Sequence, residues 1–421
     1  MPNYKLTYAK GFTTPNIRVF DTTNADAPVL IKNLAVEPDN GGFRVVLPSN
    51  RSRVMFAIED AAIAAADSIT PNAPSTLSTA AHNADLVIVT YKGWTAQAND
   101  WANYRRAQGL SVEVVDIEDV FDEFSYGIVS PDSIRSFLQY AKAEWQTKPN
   151  YVLFLGDSTY DPKNYLGNGN NNFVPTRLVD TVQTETGSDE TLADFNDDGL
   201  AELAVGRIPA RDAATVTLAL NKISGFEQTV GQGFNRGILF ASDLPDGYDF
   251  EALSLRLSSQ LPASIPRVMI NRGQTNSNAL LLAEMNAGKY LVNYSGHGST
   301  AAWATNSFFT GAQASQLTNS NNQSIFTMLT CLNGYFVAQT DSLSESLMKN
   351  PNGGAVATWA STGLTTPGVQ ELLATRFFSQ IGTSNTTRIG DLIKDAKTAV
   401  NAGRDVRLSW VLLGDPTMKV K

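Results

Sequence analysis

From Asp85 onward the sequence alternates short, mainly apolar runs with amphipathic segments, and this alternation restricts the fold more than any other feature. Leu86-Val87-Ile88-Val89 precedes a helical stretch carrying Ala98, Trp101 and Tyr104 that stops at Gly109, and Val112-Glu113-Val114-Val115 follows. Ser130-Pro131 offers an N-cap and a first-turn proline, after which Ile134, Phe137, Leu138, Ala141 and Trp145 recur at helical spacing and mark a core face. Further apolar runs are Tyr151 to Leu155, Leu203 to Val205, Ile238 to Ala241, Tyr290 to Tyr294, Ile325 to Leu329 and Ala355 to Trp359. A strand that is apolar at every position must be covered on both faces. The expected class is therefore α/β, a mostly parallel sheet with helices on both faces.

The first part of the chain has another texture. Asn16 to Phe20, Gly42 to Leu47 and Arg53 to Ala57 are short β-type runs separated by Asn, Asp, Pro and Gly, so residues 1–80 are expected to form a small β domain. Ser68 to Asn83, with Pro71 and Pro74, has neither helical nor strand period and reads as a linker, with His82 on its surface. The larger domain is then expected over 84–421. No apolar run reaches the roughly 18–20 residues of a membrane span, and Met1 to Lys5 lack the apolar stretch of a signal peptide. Any export signal is expected outside this sequence. With 32 basic against 41 acidic residues, a nucleic-acid partner is not expected. The single cysteine in 421 residues excludes an internal disulfide and a cysteine-based zinc site, so the thiol is a small buried hydrophobe or a reagent.

In a parallel sheet the loops leaving the carboxyl ends of the strands converge on one edge. The strand ending at Tyr294 runs into Ser295-Gly296-His297-Gly298-Ser299, and the strand ending at Leu329 runs into Thr330-Cys331-Leu332-Asn333-Gly334. The one cysteine and one of two histidines thus occupy equivalent strand ends. A thiol attacks a carbonyl as the thiolate, and an imidazole can take its proton and later protonate the departing amine. The backbone N–H groups of Gly298 and Cys331 are the expected donors to the oxyanion if the two loops face each other.

Leu291 to Ser299, Ala302-Trp303, Gln316 to Ser320 and Cys331-Leu332-Asn333-Gly334-Tyr335-Phe336 resemble the catalytic core of the gingipains, with Gly206-Arg207 and Leu413-Gly414-Asp415-Pro416 extending the likeness over residues 84 to 421. The resemblance implies a caspase-like fold, a Cys-His endopeptidase acting on protein or peptide substrates, calcium as a structural ion, and a secreted or cell-surface location, often through the type IX secretion route. The N-terminal region, with Arg18-Val19-Phe20-Asp21, resembles the β region preceding the peptidase domain in some members, including sortase-like peptidases of that route. A transpeptidase that passes its acyl-enzyme to an amine, and a non-catalytic binding module, are the alternative readings.

The resemblance assigns two carboxylates. Asp243, after Ile238 to Ser242, is the match to the acid that orients the imidazole, and Asp249 falls at the position of the gingipain specificity carboxylate, implying Arg or Lys at P1. Separately, Asp194, Asn196 and Asp198 place oxygens at alternate positions before Gly199, as an EF-hand loop begins. Position twelve would be Val205, which excludes a complete EF-hand and leaves a shorter calcium loop using Glu202, or a polar turn.

Overall fold

The computed structural model describes residues 7–25, 27–47, 52–69, 71–304 and 308–421. They fall into two compact units, Met1–Ala73 and Pro74–Lys421. The first holds two antiparallel three-stranded sheets, one of Thr7–Phe12, Gly42–Leu47 and Val36–Asp39, the other of Val29–Ile31, Ile17–Asp21 and Met55–Glu59. Its core is small, built around the buried Val19 and Val45.

The supposed linker divides differently. Thr70 lies outside the described residues, but from Pro74 the chain belongs to the second unit. Leu77 is buried, and the N–H groups of Leu77 and Ser78 each donate to Glu123, at 2.8 Å. His82 stacks on Trp145 with centroids 4.8 Å apart and meets Glu113 through Nδ1 at 3.2 Å. It is a packed residue and not the surface histidine that the lack of periodicity suggested, because the stretch is fastened through side-chain and turn contacts that carry no period.

The second unit is built on a ten-stranded sheet: β1 (Leu86–Thr90), β2 (Val112–Asp116), β3 (Tyr151–Leu155), β4 (Ala204–Ile208), β5 (Ile238–Ser242), β6 (Arg267–Asn271), β7 (Leu291–Ser295), β8 (Ser324–Leu329), β9 (Ala355–Ser361) and β10 (Trp410–Leu413). The spatial order is β6-β5-β7-β8-β9-β10-β4-β3-β1-β2. All neighbours pair in parallel except β9 and β10, which are antiparallel. The sheet is thus two five-stranded parallel halves running in opposite directions and joined at that seam. Side chains alternate between two cores, as the pleat requires: Leu86 and Ile88 of β1 and Leu153 and Leu155 of β3 join one, while Val87, Val89, Val152 and Phe154 join the other.

The apolar runs of the sequence account for eight strands. β6 has only three apolar residues, Val268 to Ile270, between Arg267 and Asn271, and β10 has only four residues, so neither shows as a long buried run. The pairing that matters for function is β7 with β8, in register from Leu291↔Ile325 to Ser295↔Leu329. Gly296 and Thr330 therefore leave the sheet side by side.

Candidate active site

Two parallel strands set 4.7–4.9 Å apart deliver His297 and Cys331 to one sheet edge two residues beyond their last paired positions, Ser295 and Leu329. Contact between their loops requires glycine. A Cβ on Gly298 would overlap Thr330 Oγ1 and stand 3.1 Å from Cys331 O, and one on Gly296 would overlap Asp243 Cβ and the Tyr294 hydroxyl. In the structure the glycines on either side of His297 make room for their neighbours, and the backbone at Gly298 passes close to Thr330 and Cys331 of the adjacent loop.

The backbone of His297 is held at both ends. Its N–H donates to Asp243 Oδ2 at 3.2 Å, and its carbonyl accepts from the Tyr294 hydroxyl and the Ala304 N–H, both at 2.7 Å. Burial and the adjacent Asp243 carboxylate hold the Tyr294 phenol well above its ordinary pKa, so it remains a donor. The ring is free to work: His297 is about half exposed (49%), its imidazole lies edge-on to Phe250 with centroids 5.4 Å apart, and Nε2 is 3.7 Å from Asp246 Oδ2.

Asp243 therefore does not occupy the role assigned to it. Buried, it accepts from Arg272 Nη1 at 2.9 Å and from the Leu244 N–H at 2.8 Å through Oδ1, and from the His297 backbone through Oδ2. Its short side chain secures the loop without reaching the ring. The carboxylate nearest the imidazole is Asp246, which the sequence analysis missed. Its signal was present in Leu244-Pro245-Asp246-Gly247, a turn leaving the strand next to the histidine strand.

Cys331 is half-buried, with Sγ 3.4 Å from the Thr365 N–H donor and 3.6 Å from the Thr365 carbonyl. Leu332 follows in the left-handed region at φ 60°, a conformation that turns the chain sharply after Cys331. On either side, the Thr330 N–H donates to Met328 O at 3.0 Å and the Leu332 N–H to Gly363 O at 3.2 Å. Among the described residues nothing accepts from the Cys331 N–H, which leaves it available to an oxyanion.

One element braces both loops. The helix Leu343–Lys349 donates its first N–H, from Leu343, to Thr300 O at 2.8 Å and its second, from Ser344, to Asn333 O at 3.1 Å. Asn333 Nδ2 in turn reaches Ser299 O at 2.6 Å. A capping box between Ser342 and Glu345 closes this helix end. Glu345 is fully buried beside Lys349 (2.9 Å), and Arg211 joins Asp157 (2.6 Å) to the same cluster. Burial, against the pull of these cations, pushes Asp157 up to about 6 and Glu345 up to about 7.

The two remaining groups of expected site residues close local structure. Asp249 is exposed and caps the helix Phe250–Ser259, its Oδ1 accepting from the Ala252 N–H at 2.9 Å. Asp194 accepts from the N–H groups of Asp198 (3.1 Å) and Gly199 (2.8 Å), Asn196 from Asp198 (3.0 Å), Asp198 from Leu200 (2.8 Å) and Glu202 from Phe195 (2.6 Å). These oxygens hold a turn together. Among the described residues no group of three or more His, Cys, Asp or Glu side chains is placed to hold a metal ion. The loop therefore presents no ready-made carboxylate cluster for calcium among the described residues, and its side-chain oxygens serve the turn instead.

The profile of peptidase family C25 matches residues 79–421. The chain belongs to peptidase family C25. It is accordingly a cysteine-type peptidase by family. Gingipain R2 of Porphyromonas gingivalis is 22% identical over 367 residues, covering 80% of this chain and 46% of that protein. Gingipain R1 of Porphyromonas gingivalis is also 22% identical over 367 residues, or 34% of its length. The chain thus spans less than half of these curated relatives. Among solved structures, the Arg specific cysteine proteinase gingipain R superimposes with a TM-score of 0.69 at 21% identity, covering 80% of this chain and 78% of that one. Dimeric latent PorU from Porphyromonas gingivalis gives 0.54 at 19% identity and covers 96% of this chain and 36% of that one. Both likenesses bear on fold. Among the described residues no helix is long and apolar enough to cross a membrane.

Proposed function

We propose that this C25 peptidase is an endopeptidase of extracellular protein, with Cys331 as nucleophile and His297 as proton-transfer partner. The observation that supports this reading is the close approach of the Gly298 backbone to Thr330 and Cys331, at the sheet edge where the chain's one thiol and an exposed imidazole both lie. His297 takes the thiol proton, the thiolate attacks the scissile carbonyl, and the tetrahedral oxyanion accepts from the Cys331 N–H, with Gly298 N–H as second donor. The protonated imidazole then delivers its proton to the departing amine, and water resolves the thioester. Asp246, beside Nε2, stabilises the imidazolium.

The favoured P1 residue is arginine, then lysine. The loop beside the imidazole carries Asp246 and Asp249, both exposed, and only Oδ1 of Asp249 is engaged, in its cap, among the described residues. A guanidinium can pair with the free oxygen and a neighbouring acceptor, which an ammonium matches less well. Such pairing contributes about 1.5–3 kcal/mol, a preference of roughly ten- to hundredfold. The alternative, in which an amine replaces water as acceptor, uses the same two residues and differs only in the product formed. The test is a fluorogenic P1 scan of the protein and its Cys331→Ala variant, with and without an added peptide amine. Thiol-dependent cleavage after Arg supports the proposal, and a ligated product supports transfer. Equal cleavage after norleucine and Arg removes the basic P1, and cleavage that survives Cys331→Ala removes the nucleophile.

A further inference from the structure

The thiol has a second neighbour, a pocket of about 170 Å³ lined by Val182, Leu364, Thr365, Val369, Asp405 and Val406 among others. Its link to the chemistry is Thr365, whose backbone N–H and carbonyl lie 3.4 and 3.6 Å from Cys331 Sγ. That wall is fixed: the Thr365 hydroxyl accepts from Nε2 of Gln370, itself only 2% exposed, at 2.8 Å. Val406 is buried at the base, whereas Val182, at the tip of the hairpin joining Arg177–Asp180 to Glu185–Ser188, is 90% exposed. This bare valine is held in place, because its N–H donates to Asp405 Oδ2 at 2.8 Å. The one carboxylate of the lining thus already carries a hydrogen bond, and the rest of the wall is mainly aliphatic.

We propose that this pocket is a substrate subsite that receives an aliphatic side chain, of leucine or isoleucine size, from a residue flanking the scissile bond. The assignment rests on the reading of Cys331 as nucleophile. A cavity of about 150 Å³ is enough to hold a benzene ring, so a branched four-carbon side chain fits, while a glycine leaves the wall hydrated and gains nothing from it. The pocket lies among the hairpin, the segment after β9 and the helix Arg404–Ser409. It is therefore distinct from Asp249, which caps the helix Phe250–Ser259, and selects a different residue of the substrate. The protein would then read two side chains of the substrate, one basic and one aliphatic.

The experiment scans each position flanking a fixed P1 arginine with Gly, Leu, Asp and Lys, in the full chain and in Val369→Phe, which narrows the pocket, and Val182→Ser, which strips its rim. At one position the unaltered protein is expected to favour Leu over Gly by about tenfold or more in kcat/KM, the scale of discrimination an aliphatic pocket achieves. Val369→Phe is expected to bring that ratio close to one, and Val182→Ser to lower it in part, with folding followed by thermal melting in each case. Cleavage of the series with no Leu preference at any flanking position overturns the subsite and leaves the nucleophile standing. A preference for Lys at the position that answers to Val369→Phe assigns the pocket to Asp405 and overturns the aliphatic reading. If the variants melt early, the ratio in the unaltered protein still decides, since it needs no substitution. No cleavage of any peptide is the separate failure of the proposed peptidase activity.

Discussion

The two halves of the central sheet share a construction and differ in what their polar groups do. In the half formed by β10, β4, β3, β1 and β2, buried charges are closed on one another. Arg207 sends Nε and Nη2 to the two oxygens of Asp189, each at 2.7 Å, and Nη1 to Val174 O at 2.9 Å. Arg105 bridges Asp415 (2.7 Å) and Glu227 (2.8 Å), all with side chains no more than 4% exposed. In the half formed by β6, β5, β7, β8 and β9, the loops after β7 and β8 leave a half-exposed imidazole, a half-buried thiol and an unpaired backbone donor. Reactivity depends on groups that have not been satisfied internally, so one half is suited to anchoring the fold and the other to chemistry.

That contrast predicts separable failures. The largest effect is on turnover: Cys331→Ala and His297→Ala should each lower kcat/KM by at least about 10³-fold, and the double variant little further, because members of one catalytic unit fail together. Melting temperatures should stay close to that of the parent, and losses that multiply would break the dyad. Arg207→Met, in the other half, should leave Asp189 buried and unpaired and cost about 3–5 kcal/mol in urea unfolding. The folded fraction should keep its KM. A stable but inactive Arg207→Met would erase the division between the halves.

Between the halves lies the Asp157, Arg211, Asp341, Lys349 and Glu345 cluster, and its effect should be smaller. Both buried acids have folded pKa values above their ordinary ones, about 6 against 3.8 for Asp157 and about 7 against 4.5 for Glu345. The folded state therefore holds more protons in that interval. The contribution of these acids to stability is greatest below pH about 4 and declines as pH rises through about 6 to 7. Glu345→Gln should flatten the fall in melting temperature between pH 5 and 8, and an unchanged slope would place the titration elsewhere. Calcium should do least. Since Asp194, Asn196, Asp198 and Glu202 already serve backbone N–H groups, millimolar calcium should leave the melting temperature unmoved, whereas a rise of several degrees would restore the calcium loop that the sequence suggested.

The sequence made the mainly parallel architecture and the shared sheet edge of the loops after β7 and β8 legible for a common reason. Continuous apolar runs reveal strands buried on both faces, and residues just past such runs share a sheet edge. What stayed hidden depends on side-chain reach and loop path. Asp243 and Asp246 lie three residues apart in one turn, and no pattern distinguishes the carboxylate that holds a backbone N–H from the one that faces the ring. The antiparallel seam at β9 and β10 was missed because a four-residue strand gives no direction, and the packing of His82 on Trp145 joins segments with no shared period.

The most direct measurement of the central claim is the rate of Cys331 alkylation by iodoacetamide against pH, in the protein and in His297→Ala. The account predicts rapid labelling of the parent near neutral pH, where an imidazole can take the thiol proton, and markedly slower labelling of His297→Ala at the same pH. Equal rates for the two proteins across the pH range would show that His297 does not activate Cys331 and would contradict the account.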